Sequence, residues 1–504
     1  MSDYSGLRSE IRPSAINALH SKVAKRNYQH YLYRMRLTRL RAYADAEIVF
    51  DFPVTALVGP NGGGKTTILG AAAIIHETIK PRQYFAKSGS YDANMADWSI
   101  EYELVENGKT YRRTASYPKS KWNRDAVKRP ILTFGVSRTL PATERKELSK
   151  FIAGNFKGSA ETKLTPETIH AVEKILGKNA ADYLQVSGTS GSANRIHAAR
   201  SDAGSYSEFH FGAGEASVIR IVSEIEEAPE SSLIAIEEIE NGLHPVATRR
   251  LVDYLIDVAK RKNCQVIFTT HSNDALKPLP NEAVWACAKG QLTQGKLDVN
   301  ALRTLTGEID AQLAIFVEDE FAKMVVEVAL RDYCSRKEIP VFGIQVHAVG
   351  GEDHVIKLTK SHNKNPSIKF KAVGVLDGDM REKAAPEGLI FALPGDGDPE
   401  LHILDSIAGR INELSSRLAI NLGLRPTDQS RVAEVTLSRK ATNRDPHVVF
   451  AQIGDDLDYL GETFVGQAFA AQWVQAYTEE VDSLFDQIAP LMAAVRDCKD
   501  GSAD

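Results

Sequence analysis

Cysteine is scarce: the 504 residues hold four, Cys264, Cys287, Cys334 and Cys498, with no CxxC pair and no histidine at zinc-ligand spacing. That excludes a disulfide-built scaffold and a cysteine-ligated zinc module, and it leads us to expect free thiols in a reducing cytoplasm. Long apolar runs are lacking too. No stretch reaches the roughly 18 residues a spanning helix needs, and residues 1–27 hold no apolar h-region, so neither membrane spanning nor export is expected. A large excess of either charge is also missing: the formal net charge of −5 excludes a globally basic nucleic-acid binder, and any DNA contact has to come from a local patch. The sequence has no internal repeats and no sustained heptads, which excludes a solenoid or a long coiled coil.

What is present is a globular balance of 43% hydrophobic and 25% charged residues, over a length that suggests two domains with an appendage. One basic patch stands out. Met1 to Arg41 carries nine Lys or Arg against Asp3 and Glu10, with Tyr28, Tyr31 and Tyr33 among them. It reads either as a solvated helix leading into the first strand or as a DNA-binding arm; charge runs usually face water.

Strands are expected at 35–41, 47–52 and 56–58, the last running into a glycine-rich loop and a helix at 66–79. A hairpin, 99–105 and 110–116, alternates around Asn107-Gly108. A strand at 131–135 and a helix at 166–176 follow, and the Gly/Ser/Ala-rich stretch 187–207 reads as a mobile loop. Continuous apolar runs at 231–236 and 265–270 read as buried parallel strands around a helix at 246–262. The first domain is expected to close near Gly307. A second α/β alternation then begins, with strands at 313–317, 342–349, 372–376 and 389–393 and helices at 321–336 and 353–361. Helical spacing dominates beyond Glu400.

Gly59-Pro-Asn61-Gly62-Gly63-Gly64-Lys65-Thr66-Thr67 fits G-x-x-x-x-G-K-[ST] between a strand and a helix. Glycines at that spacing let backbone N–H groups wrap phosphates, Lys65 reaches the β and γ phosphates, and Thr66 offers its hydroxyl to magnesium. The apolar run Leu233-Ile-Ala-Ile236 ends in Glu237-Glu238. Glu237 is expected on the metal side, and Glu238 as the general base that polarises the attacking water.

These residues, with Glu240-Asn-Gly-Leu-His244-Pro245 and Thr270-His271-Ser272 after the next strand, resemble the ABC ATPase superfamily, and within it the soluble branch of SMC-like proteins and overcoming-lysogenization-defect (OLD) nucleases. The resemblance, over roughly residues 35–280, implies that His271 senses the γ-phosphate. It also implies that Phe211-Gly212-Ala-Gly214-Glu215, before a helix at 216–225, is the signature loop capping the nucleotide of the opposite subunit. Gly212 stands where that loop usually has serine. Arg41 resembles the nucleotide-touching arginine of the first strand pair, and no glutamine can be placed as the Q-loop. A composite site of this kind implies ATP and Mg2+ as cofactors and a homodimer, or a higher homo-oligomer, of ATPase heads.

In the second alternation, Glu318 ends one strand and Asp377-Gly-Asp379 ends another, where acids of a parallel sheet converge and three of them would hold magnesium. With Gly350-Gly351 this resembles the TOPRIM domain, over roughly 311–410. Asp319 and Ala322 depart from the family's Glu-Gly-x-x-Glu/Asp pattern; Glu320 or Glu400 could compensate, and Lys440 is a candidate for the family's late lysine.

The expected fold is thus α/β: an ABC-type head over 1–310, with a basic segment at 1–34, then a TOPRIM-like domain over 311–410 and a helical region over 411–504. The leading functional expectation is an ATP-gated, Mg-dependent DNA endonuclease of OLD type acting against phage. The alternative is an ATPase sensor or scaffold with a degenerate TOPRIM-like domain, controlling a separately encoded nuclease.

Overall fold

The computed structural model describes residues 11–86, 97–117, 123–145, 148, 158–188, 195–201, 204–288, 290–296, 312–341, 343–365, 368 and 370–493. The chain folds as two compact units, Met1–Val299 and Asn300–Asp504. Gly307 and the expected boundary at 310 lie outside the described residues.

The first unit is organised by a six-stranded sheet. Its strands are β3 (Val54–Val58), β7 (Ile131–Phe134), β12 (Leu233–Ile236), β13 (Gln265–Thr270), β14 (Val284–Ala288) and β15 (Gln291–Gln294), in the order β15-β14-β3-β13-β12-β7. All neighbours are parallel except β14 and β15. Every residue of β3, β12 and β13 is buried, as expected for strands covered on both faces. Helix α5 (Pro245–Arg261) makes the crossover from β12 to β13 and turns Leu251, Val252, Leu255 and Val258 into the core, a helical stripe. In register, Val58 lies beside Thr270, and Ile236 beside both Phe268 and Phe134, so the strands end together along one edge.

A second sheet, β2-β1-β4-β5-β6, is antiparallel: β1 (His30–Thr38), β2 (Ala46–Val49), β4 (Ser99–Glu106), β5 (Lys109–Ser116) and β6 (Asn123–Arg124). The β4–β5 hairpin turns on Asn107 and Gly108, both at positive φ (48° and 76°), which the Asn-Gly pair tolerates. A third sheet, β11-β10-β9-β8, joins β8 (Gly158–Lys163), β9 (Tyr183–Gly188), β10 (Arg195–Ser201) and β11 (Gly204–Ser207). The expected loop over 187–207 is therefore corrected within the described residues: the segment is strand, and backbone pairing outweighs a composition rich in small residues.

The basic N-terminal segment, where described, is part of the first unit's body. Helix α1 (Pro13–Ala24) precedes β1, and Tyr28 and Tyr31 are 3% and 2% exposed. Arg26 and Arg34 meet Glu103 at 3.4 and 2.7 Å, and Arg36 meets Asp45 at 2.8 Å. Tyr28 and Tyr31 are therefore closed to stacking on bases, and Arg26, Arg34 and Arg36 are already engaged by carboxylates.

The second unit has a parallel sheet, β17-β16-β18-β19, of β16 (Leu313–Val317), β17 (Ile344–Ala348), β18 (Lys371–Leu376) and β19 (Ile390–Ala392). Helix α7 (Glu320–Arg336) links β16 to β17, and α8 (Glu352–Lys364) links β17 to β18. The chain runs outward from β16 to β17, then returns past β16 to β18, which makes the C-terminal edge between β16 and β18 the topological switch point. Beyond it come α9 (Pro399–Gly409), α10 (Ile411–Asn421), α11 (Gln429–Thr442), α12 (Val449–Asp456), α13 (Glu462–Ala476) and α14 (Thr478–Ala493). Leu414, Phe450, Phe469 and Phe485 on these helices share one buried cluster with Leu313, Val325 and Val373. Among the described residues, the expected helical C-terminal region packs in one core with the sheet.

Buried Cys264, Cys287 and Cys334 are free thiols, and among the described residues no helix is long and apolar enough to cross a membrane.

Candidate functional site

After β3 the chain curls from Gly59 into α2 (Lys65–Ile74). Crowding dictates two of its glycines. A Cβ on Gly59 would stand 2.2 Å from the Cys287 carbonyl oxygen on β14, and Gly64 caps α2 at φ 96°, where a Cβ would strike the Tyr43 ring at 2.5–2.8 Å. Inside the curl the Lys65 ammonium, on a residue only 7% exposed, donates to the Gly59 and Pro60 carbonyls at 2.7 and 2.9 Å. Asn61, Gly62 and Thr66 lie exposed along its rim, while Gly63 and Thr67 are buried. The N-terminus of α2 opens at this rim, the positive end of a helix dipole beside a fixed cation, which is an anion cradle. Arg41 flanks it: Nη1 donates to Thr67 Oγ1 at 3.1 Å and Nη2 to the Tyr84 carbonyl at 2.9 Å, with the guanidinium 5.3 Å over the Phe85 ring.

The twin glutamates end β12, two strands from β3 and so about 10 Å away along the sheet edge. Glu237 is half-buried; burial pushes its pKa up first, Glu238 adds to this, and the Val136 N–H and Arg138 pull it back. Its charge in turn helps raise the neighbouring Tyr84 phenol to about 12, chiefly a burial effect, and the Tyr84 ring lies where a Cβ on Gly70 of α2 would be, at 2.7 Å. Glu237 Oε2 lies on the β7 side, 3.7 Å from where a Cβ on Gly135 would stand. Glu238 sits at φ 45°, a left-handed conformation uncommon for a non-glycine residue. Three contacts hold it there. Its N–H donates to Thr269 Oγ1 at 2.8 Å, its Oε2 accepts from Asn241 Nδ2 at 2.8 Å, and its carbonyl accepts from Arg138 Nη2 at 2.6 Å.

His271 follows β13, between the P-loop strand and the glutamate strand. Glu240 ties the two edges together: its carboxylate accepts from the His271 N–H at 2.6 Å and from Thr270 Oγ1 at 2.7 Å. The lysine loop, the twin glutamates and the histidine therefore share one edge of one sheet, linked by hydrogen bonds from β12 to β13 and by register from β13 to β3.

The signature-like residues open α4 (Ala213–Glu227), whose first turn begins three residues earlier than the sequence suggested because Gly212 serves as its N-cap. Gly214 is buried against the loop after the glutamates: a Cβ there would stand 2.0 Å from the Gly242 carbonyl oxygen. Glu215 pairs with Lys178 at 2.5 Å and accepts from Tyr183 Oη. Gly212 has open space around it.

Sequence reasoning missed Arg138, Glu240 as an anchor, Thr269 and Tyr84.

In the second unit Glu318 and Asp377 end the adjacent strands β16 and β18, and Glu318 Oε1 accepts the Asp377 N–H at 2.9 Å. The Gly350 and Gly351 amides donate to the Glu318 carbonyl at 2.8 and 3.1 Å, fixing the turn after β17 against it. Burial, then the charges of Glu318, Asp319, Glu400 and Asp379, push Asp377 up to about 8, and its Oδ1 is buried without a hydrogen-bond partner among the described residues. Glu400, 5% exposed on α9, accepts from His447 at 3.1 Å, and ligand atoms of Asp319, Glu400 and His447 lie within 4.8 Å of one another. Ala322 is fully buried in the core, and Asp319 caps α7 by accepting the Ala322 N–H at 2.8 Å. Glu320 does not join the cluster: its exposed carboxylate meets Lys323 at 3.6 Å, one turn along the same helix. Lys440 pairs with Asp405 at 2.9 Å, so its role as the late lysine is not supported.

Residues 78–276 match the family model described as "AAA domain, putative AbiEii toxin, Type IV TA system", a span that begins after the P-loop and includes Glu237, Glu238 and His271. The chain is 24% identical over 311 residues to an OLD nuclease of Thermus scotoductus (strain ATCC 700910 / SA-01), covering 48% of this chain and 59% of that relative. Among solved structures it is similar to the SMC head domain from Thermotoga maritima, with 14% identity, TM-score 0.33, and coverage of 53% of this chain and 99% of that one. It is also similar to the Smc head domain bound to the C-terminal domain of ScpA derived from Pyrococcus furiosus, with 11% identity, TM-score 0.35, and coverage of 55% and 99%.

Proposed function

We propose that this chain, whose first unit carries an AAA/ABC-type ATPase domain and whose sequence is OLD-like, is an ATP-gated, Mg-dependent DNA endonuclease of OLD type that serves bacterial defence against phage. The observation that carries the nuclease reading is the Asp377 carboxylate. It is crowded by Glu318, Asp319, Asp379 and Glu400 at a topological switch point, with one oxygen buried and unpaired. Carboxylates forced together in this way repel, and an all-oxygen donor set suits a hard divalent cation that would neutralise them. Glu318, Asp377 and Asp379 would hold Mg2+, with Glu400 in reserve. When bound, the ion supplies Lewis-acid activation of water and stabilises the leaving oxygen of a phosphodiester. The protein's own residues keep the acids converged: the Asp377 amide orients Glu318, and the Gly350-Gly351 turn fixes that strand end.

In the first unit, Lys65 and the α2 N-terminus would bind the triphosphate, with Thr66 and Glu237 on the metal side. Glu238 would hold the attacking water as base, and His271 would contact the γ-phosphate. Gly212 and Gly214 would cap the nucleotide of a second copy, so that ATP closes a homodimer of heads and hydrolysis reopens it.

Ala322 favours a second reading. Its methyl is packed in the core where the resembled domain carries an acid, so the unit could serve as a scaffold for a separately encoded nuclease. Incubating plasmid with the full chain, ATP and Mg2+ or Mn2+ decides between them. Nicking that disappears in Asp377→Ala supports the nuclease; no nicking by either protein, with ATPase activity intact, supports the scaffold.

A further inference from the structure

Arg138 has no role in the motifs above, yet it is the most constrained cation near the twin glutamates. It lies in the turn Val136–Thr139 that follows β7, is 5% exposed, and directs its guanidinium at backbone carbonyls instead of a carboxylate. Nη1 donates to the carbonyls of Gly135 at 3.1 Å and Glu237 at 2.5 Å, and Nη2 to that of Glu238 at 2.6 Å. Its Nε is buried without a partner among the described residues. Burial lowers its pKa to about 10, and Glu240, Glu238 and Glu237 pull it back up, so the cation is retained at neutral pH.

A buried guanidinium is costly to desolvate, and three carbonyl acceptors return only part of that cost. The geometry suggests what the cost secures. Residue 238 must hold a left-handed φ of 45° to carry its carboxylate out of the strand direction, and a backbone so placed persists only where its surroundings over-determine it. The two carbonyls gripped by Arg138 belong to the peptide groups on either side of the Glu238 Cα, so the grip fixes the Glu238 backbone. The Val136 N–H from the same turn reaches the Glu237 carboxylate, so the turn after β7 holds both glutamates. A planar fork can engage two consecutive carbonyls at once; an ammonium cannot do so with the same rigidity.

We infer that Arg138 is a positioning residue for ATP hydrolysis, setting the aim of the Glu238 carboxylate through the backbone without touching nucleotide. This rests on the reading of Glu238 as the base.

The test measures steady-state kcat and KM for ATP in the full chain with Arg138→Met and Arg138→Lys, each alone and combined with Glu238→Gln, with residual hydrolysis of the Gln variants followed in single turnover. The expected result is a kcat lowered about tenfold or more in Arg138→Met with KM within about twofold of wild type, as for loss of an interaction made only in the transition state. Arg138→Lys should fall between that variant and wild type. Adding either change to Glu238→Gln should cause less than about a twofold further loss, since a residue acting only through Glu238 has nothing left to position. An unchanged kcat, a KM that rises as kcat falls, or a full further loss in the Glu238→Gln background overturns the inference. If Arg138→Met does not fold, Arg138→Lys alone decides by the same criteria. Should Glu238→Gln itself hydrolyse ATP at the wild-type rate, the base assignment fails first, which separates the two failures.

Discussion

Replacing Asp377 by Asn should stabilise the cation-free protein at pH 8 and leave its stability at pH 4 nearly unchanged. Proton linkage sets the sign. The carboxyl moves from an ordinary value of 3.8 to about 8 in the folded chain, so between those values the native state binds more protons than the unfolded one. Stability must then fall as pH rises through the window and level off above about pH 8. A displacement of about four pH units, at about 1.4 kcal/mol each, sets a penalty on the order of 5 kcal/mol at pH 8, absent below pH 4. For a unit of this size each kcal/mol is worth about 2–4 °C, so Asp377→Asn should melt about 10 °C or more above wild type in EDTA at pH 8. Mg2+ should reverse the order, because a cation held by the carboxylates relieves their repulsion in wild type and gains less from an amide. Scanning fluorimetry at pH 4, 6 and 8, with EDTA or Mg2+, reads all of this. Melting temperatures of wild type and variant that run parallel across pH, with no differential response to Mg2+, would refute both the electrostatic reading and the metal assignment.

Two further predictions concern the first unit. Gly214→Ala drives a methyl to 2.0 Å from the Gly242 carbonyl oxygen, a backbone clash that should cost about 1–3 kcal/mol and lower ATPase activity by displacing the α4 N-terminus; unchanged melting and turnover would count against this packing. Glu208 is 2% exposed and meets Arg145 at 2.9 Å, His197 at 3.3 Å and Arg220 at 3.4 Å, so Glu208→Ala should cost about 3–5 kcal/mol in denaturant unfolding by leaving Arg145 buried beside a neutral side chain, and a cost below about 1 kcal/mol would contradict the network.

Much of the nucleotide edge was legible because its strands are buried on both faces. Leu233-Ile-Ala-Ile236 and Val266-Ile-Phe268 could be read as central strands from apolar continuity alone, and the residues after them then fell at one sheet edge. Strands β9 to β11 were not legible. Gly and Ser make up three of the four residues of β11, which is largely exposed, so pairing with β10 rather than a core-facing pattern makes it a strand. Arg138 was illegible for another reason: it grips carbonyls, which every residue carries, so no side-chain pattern announces the contact. In the second unit the strand-end acids could be seen in advance. The company of Glu400 and His447 could not, because it depends on how α9 and the turn before α12 pack within that core.

If Lys65, Glu238 and His271 serve one triphosphate that a second copy completes, removing the base must trap both nucleotide and dimer. The decisive measurement is the mass and nucleotide content of Glu238→Gln after incubation with ATP and Mg2+ and passage through a sizing column with light-scattering detection. The expected species is a dimer retaining ATP at about one per chain, with Lys65→Ala added to it restoring a nucleotide-free monomer. A Glu238→Gln protein that turns over ATP at the wild-type rate, or elutes as a monomer without nucleotide, would contradict the shared site.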